Sequence, residues 1–214
     1  KEEFEFPNMT SSPFYIHNPD NGISWGVNSS SGMPNSIRSA MINCYAYNSR
    51  GQMDYMESPR FSLPDTGQVM LRFYLAYAEN PGNKDSLFVD ISTDCGSSFP
   101  PRIYANGGAA MATTTPSNPA FVPVSANEWQ RIELPLSALV NQDDIIIRFG
   151  VKNDFGNNIY IDRIVLTSNS NKPVADFGTI LANTCSPVNV TSNSVSLFAS
   201  SLQWAFNGVN GGTA

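Results

Sequence analysis

The sequence predicts an all-β chain organised as an antiparallel sandwich. Three observations carry that expectation. Apolar and polar residues alternate along several segments, turn-forming strings separate those segments, and no long stretch keeps a helical period. Val69, Leu71, Phe73, Leu75 and Tyr77 alternate with Met70, Arg72, Tyr74 and Ala76. Leu87, Val89 and Ile91 alternate with Phe88, Asp90 and Ser92, and Ile132, Leu134 and Leu136 repeat the pattern. Ile145, Ile147, Phe149 and Val151 follow, then residues 158–167. Between the runs stand Pro-Asp-Asn-Gly (19–22), Asn-Pro-Gly-Asn (80–83) and Asp-Phe-Gly-Asn-Asn (154–158), whose residues tolerate the backbone angles of tight turns. Only residues 136–142 have room for a helical turn.

Composition narrows the function. Charged residues make up 14% of the 214, against about 25% in an average soluble domain, as in loop-rich extracellular β proteins. The net charge of -6 lacks the basic footprint that nucleic acid requires, and anionic membrane would repel it. No apolar run is long enough for a transmembrane helix, and Lys1-Glu2-Glu3 lacks the layout of a signal peptide, so any export signal is expected outside the chain. The three cysteines, Cys44, Cys95 and Cys185, fit no metal-ligand spacing and allow one disulfide, with Cys44–Cys95 weighed against buried thiols.

The polar run Thr167-Ser-Asn-Ser-Asn-Lys-Pro173 marks a boundary. The expected organisation is a first domain over residues 2–167, a linker over 168–173 and a second unit over 174–214. That unit, at about 40 residues, is too short for an independent sandwich and reads as cut mid-domain.

Asp162 is the most informative acid. Strict alternation over residues 159–166 places it on one face with Tyr160, Ile164 and Leu166, so its carboxylate points into apolar surroundings. Burial of an unpaired carboxylate is costly. The group would then shift its pKa, bind a metal or pair with a cation, for which Arg163, Arg148 and Lys152 are the candidates. The loop Asn18-Pro-Asp20-Asn21-Gly22 offers carboxylate and carbonyl oxygens of the kind calcium takes. Asp54, Asp85 and Asp94 are candidates for a second oxygen cluster, with loop-fixing hydrogen bonds as the simpler alternative. Among the aromatics, Trp25 and Trp129 are expected inside, whereas Tyr45, Tyr47 and Tyr104 are candidates for an exposed platform that stacks against a ligand. Catalysis has little to work with. His17 is the single histidine, which excludes a multi-histidine zinc site, and no glycine motif that could form an oxyanion hole flanks Cys44 or Cys95.

Several strings together resemble a known family. Phe4-Glu5, Asn18-Pro-Asp-Asn-Gly-Ile-Ser-Trp25, Tyr45-Ala-Tyr-Asn48, Gly51-Gln-Met-Asp54 and Ser58-Pro59 are followed by Leu75-Ala-Tyr-Ala78, Asp85-Ser-Leu-Phe-Val89, Ser92-Thr-Asp-Cys-Gly96, Trp129 and Asn157-Asn-Ile-Tyr-Ile-Asp162. In this order they resemble the MAM-like, cleaved-adhesin jelly-roll modules of Bacteroidota surface proteins. Pro173-Val-Ala-Asp-Phe177 and Trp204-Ala-Phe206 resemble the start of a PKD-type immunoglobulin-like domain, making the second unit a truncated immunoglobulin-like sandwich. The resemblance implies a non-catalytic adhesion module, displayed at the cell surface or secreted by the type IX route, that binds a glycan or an extracellular protein beside neighbouring domains of one polypeptide. It equally fits an architectural accessory domain of a secreted peptidase of the cytophagalysin type. It also implies structural Ca2+ held by Glu5, Asp20 and Asp162 together.

Overall fold

The computed structural model describes residues 1–168 except 30, 65 and 66, together with the backbone of 203–206 and 209–213. Contacts divide the chain into two compact units, Lys1–Asn169 and Ser170–Ala214.

In the first unit ten strands form two antiparallel five-stranded sheets, a jelly-roll sandwich. The first sheet runs β1 (Tyr15–His17), β4 (Met53–Glu57), β9 (Ile146–Lys152), β6 (Ser86–Ser92) and β7 (Arg102–Gly107) in spatial order. The second runs β2 (Gly26–Asn28), β3 (Ser39–Ile42), β10 (Ile159–Ser168), β5 (Val69–Tyr77) and β8 (Gln130–Pro135). The alternating runs are the central strands, and their alternation is the pleat. Leu71, Phe73 and Leu75 of β5 and Leu87, Val89 and Ile91 of β6 fill the space between the sheets. Phe73 stands at the middle, edge-on to Phe149 at 5.2 Å and to Tyr104 at 6.1 Å. Each such side chain fully withdrawn from water contributes roughly 1.5–3 kcal/mol.

The outer faces of the two sheets differ. Over the second sheet lies the segment between β7 and β8, which seals a smaller cluster of Ala76, Ala78, Phe121, Trp129 and Tyr160. Its polar ends are tied down: the Tyr160 hydroxyl donates to the Phe121 carbonyl at 2.7 Å, and Trp129 Nε1–H donates to the Ser31 carbonyl at 2.8 Å. Trp25 and Trp129 are thus both buried. Among the described residues, no such segment covers the first sheet.

Strand β10 departs from strict alternation. Its register against β5 shifts between Asp162 and Val165, and Arg163 adopts φ 50°, the signature of a bulge. The bulge reverses the phase. Tyr160 and Asp162 share the outer side as expected, but Ile164 turns into the central core. At the same point the N-terminal segment is stitched on, with the Glu2 amide donating to the Ile164 carbonyl at 2.8 Å.

Cys44 is a free, buried thiol, so the Cys44–Cys95 pairing is not made; Cys185 lies outside the described residues. In the second unit the backbone of Gln203–Phe206 pairs antiparallel with Val209–Thr213. The PKD-like reading otherwise falls outside the described residues.

Candidate functional site

The open face of the first sheet is ordered in two cross-strand rows. One row runs His17, Tyr55, Gly150, Phe88 and Ala105, each residue opposite the next across neighbouring strands. The adjacent row runs Tyr15, Glu57, Arg148, Asp90 and Arg102. Along the second row the charges alternate, and buried Asp90 is gripped from both sides, by Arg102 at 2.8 Å and Arg148 at 3.1 Å. Both arginines also lie on the aromatic row. The Arg102 guanidinium sits 4.1 Å from the Phe88 ring centre and that of Arg148 4.6 Å from Tyr55, while Phe99, from the β6–β7 loop, covers Arg148 at 3.6 Å. Planar cations held between rings and a carboxylate lose little freedom on meeting a ligand.

A shallow groove of about 540 Å³ opens here, lined by His17, Pro19, Tyr55, Glu57, Ser97, Ser98, Phe99 and Arg148 among others. Its floor depends on a missing side chain. A Cβ on Gly150 would stand 2.0 Å from the Phe88 ring, so only glycine lets that ring lie flat beside Tyr55, to which it packs edge-on at 6.2 Å.

A second feature lies behind the bulge of β10. Ser36 Oγ is 2.8 Å from Glu5 Oε1, 2.8 Å from the Arg38 carbonyl and 2.9 Å from Asp162 Oδ2. A hydroxyl has one proton to give, so it can satisfy one of these three acceptors at a time. The remaining donors are few: the Ile37 amide to Glu5 at 3.1 Å, the Ser31 hydroxyl to Asp162 at 3.3 Å and the Arg163 amide to Asp162 Oδ1 at 2.7 Å. None of the three candidate cations forms an ion pair with Asp162. The Arg163 guanidinium donates instead to the Pro34 carbonyl, and Arg148 is committed to Asp90. Burial pushes Asp162 up to about 6, only partly offset by the Ser36 hydroxyl, the Arg163 amide and the nearby guanidinium.

The structure brings Glu5 and Asp162 together but leaves Asp20 apart. Asp20 accepts the Tyr47 hydroxyl at 2.6 Å and the Gly22 amide at 2.8 Å. Asp54, Asp85 and Asp94 share no partners. Asp85 accepts backbone amides of Asp154, Gly156 and Asn157 and so fixes the turn before β10. Asp94 caps its own loop through Ser92 and Ser98, whose hydrogen bonds hold its carboxyl down at about 2. Among the described residues, no three His, Cys, Asp or Glu side chains gather as a metal-binding group.

The expected platform is corrected. Tyr45 is exposed, on the turn after β3 and away from the groove lining. Tyr47 is 3% exposed because its hydroxyl turns in toward Asp20. Tyr104 faces the core against Phe73. The aromatic surface is Tyr55 and Phe99 over Phe88 instead. Alternation alone marked Phe88 and Asp90 as outward positions, but only the cross-strand register shows that Tyr55, Arg102 and Arg148 meet them.

Neither a protein-family model nor a curated protein matches the chain. Solved structures do match. A cleaved adhesin domain of Lys-gingipain from Porphyromonas gingivalis W83 superposes with a TM-score of 0.56 at 16% identity, over 79% of this chain and 97% of that domain. A second adhesin domain of Lys-gingipain gives 0.55 at 19% identity over 78% and 97%, and a third gives 0.51 at 14% over the same shares. The first unit therefore has the jelly-roll fold of these adhesin domains. No helix among the described residues is long and apolar enough to cross a membrane.

Gly150→Ala is expected to lift Phe88 off the sheet, alter the near-ultraviolet circular dichroism and lower stability by about 1–3 kcal/mol, as overpacking does. Denaturant unfolding measures the loss. Adding Phe88→Ala should recover part of it, and strictly additive losses would contradict the packing.

Proposed function

We propose that the first unit is a non-catalytic extracellular binding module that takes a glycan along the open face of the first sheet. The observation that carries this reading is the groove itself: ring surface from Tyr55 and Phe99 stands beside Glu57, Arg148 and His17. Sugar rings present C–H faces that pack on aromatic rings, and hydroxyls that planar charged groups can hold. Among the described residues, the chain's own loop seals the opposite sheet and this face stays uncovered. The fold shared with cleaved adhesin domains supports placement of the module in a larger secreted protein. The groove offers no nucleophile paired with a base: His17 packs against the Tyr55 ring at 5.8 Å.

The test is a glycan array followed by titration of the binding sugars. Tyr55→Ala and Phe99→Ala should each weaken binding by roughly two- to tenfold, the loss of one stacking contact worth about 0.5–1.5 kcal/mol, while Tyr45→Ala leaves it unchanged. Affinity for an extracellular matrix protein alone would replace the glycan reading with a protein-binding one. No ligand of either kind would favour an accessory architectural role.

Calcium is proposed as structural, at Glu5 and Asp162. What supports it is the surplus of oxygens around Ser36: two carboxylates and a carbonyl converge on one proton, and calcium accepts oxygens of all these kinds. The ion would hold the N-terminal segment and the loop before β3 to the last strand. The pH dependence follows in sign. A carboxyl raised in the folded protein to about 6 favours folding fully below its unfolded value near 4, and that contribution is lost as pH rises through about 6. In chelator, the melting temperature should therefore fall between about pH 4 and 6. Calcium at 100 times its dissociation constant should add about 2.7 kcal/mol at neutral pH and little near pH 4. Asp162→Asn should abolish both effects, and identical melting of all samples would remove calcium from the node.

A further inference from the structure

Asp54 poses a problem that the groove and the Ser36 node leave unsolved. It sits in β4 on the core side, in phase with Met56, and is fully buried. Neither carboxylate oxygen has a hydrogen-bond partner. The nearest hydroxyls, of Ser24 and Tyr47, favour its charged form but complete no hydrogen bond to it: Tyr47 gives its proton to Asp20 at 2.6 Å, and Ser24 Oγ is itself buried without a partner. Burial pushes Asp54 up to about 6, with the Ser24 hydroxyl offsetting part of the rise and the negative charge of Asp20 adding to it. The loop above brings further oxygen. Asn18 donates its amide N–H to the Gly22 carbonyl at 2.9 Å, which leaves Asn18 Oδ1 buried and unpartnered. Gly22 lies so close that a Cβ there would meet both Asp20 oxygens at 3.0 Å and the Tyr47 hydroxyl at 3.1 Å.

An unpaired carboxylate in such a place requires a proton, a donor or a cation. Hard oxygens of mixed type, one carboxylate buried and one at the surface, match a hard divalent cation with water completing its shell. We propose that Asp54 and the 18–24 loop form a divalent-cation site distinct from the Ser36 node, with Asp20 and Asp54 as its carboxylates and Asn18 Oδ1 and Ser24 Oγ as neutral oxygens. Binding there fastens the first long loop to β4 at the edge of the groove, which His17 and Pro19 help to line. The site stands independently of the calcium reading at Asp162.

Equilibrium calcium binding to the full chain, with terbium luminescence sensitised by Tyr47, tests it. The expected result is one calcium ion lost from the wild-type count in Asp54→Asn and in Asp20→Asn, with terbium emission at this site abolished. Asp162→Asn should leave the Tyr47-sensitised emission intact. Asp20 is at the surface, so its substitution does not endanger the fold. Asp54→Asn keeps the shape and removes the unpaired charge, so its metal-free form should melt no lower than the metal-free wild type. If both variants bind as many calcium ions as the wild type, with affinities within about twofold, the proposal is overturned. Absence of terbium emission from the wild type would overturn it equally. Loss of binding in Asp162→Asn alone would support the node and reject this site.

Discussion

One proton shared among three acceptors governs the back of this molecule. Ser36 Oγ stands within 2.9 Å of Glu5, the Arg38 carbonyl and Asp162, and these oxygens belong to the N-terminal segment, the loop before β3 and the last strand. Wherever positive charge enters this node, it joins three distant parts of the chain. The bulge in β10 makes the meeting geometrically feasible. By turning Ile164 into the core and placing Arg163 at positive φ, it leaves Asp162 facing the loop and gives the Glu2 amide a carbonyl to pair with.

The same economy shapes the two outer faces. The β7–β8 segment spends its aromatic side chains and its polar backbone on covering the second sheet. On the first sheet, side chains cover side chains: arginines lie on rings, Asp90 pairs with both arginines, and Gly150 yields its volume to Phe88. The result is a mixed polar and aromatic surface in place of a bare apolar one. Two negative sites, at Asp162 and at Asp54, flank this frame, and each holds more oxygen than its protons can satisfy.

How far the sequence foretold this depends on strand length and on register. Strands β5, β6, β8, β9 and β10 were legible because six to ten residues of alternation rise above chance. Strands β1, β2 and β3, of three or four residues, carry too little periodicity to stand out. Burial of Asp162 followed from its phase, but the position of Ile164 did not, because a one-residue bulge reverses every later side chain. Of the three acids that the resemblance groups, Glu5 and Asp162 both meet Ser36, whereas Asp20 meets Tyr47, a hydroxyl 27 residues further on. The groove escapes a reading of the sequence because its lining comes from three strands and two loops, and proximity across a sheet is written in register, which alternation along one strand does not encode.

The central claim is that a bound cation clamps the first segment and the loop before β3 to the last strand through Glu5, Ser36 and Asp162. Native-state hydrogen exchange with calcium and with chelator addresses it most directly. The amides of Ile37 and Arg163 donate to Glu5 and Asp162, and those of Glu2 and Phe4, donating to the Ile164 carbonyl and to Glu2 Oε1, hold the first segment beside them. The account predicts that calcium slows exchange at these four positions more than in the central strands β5 and β9. Equal exchange at these amides in calcium and in chelator would contradict it.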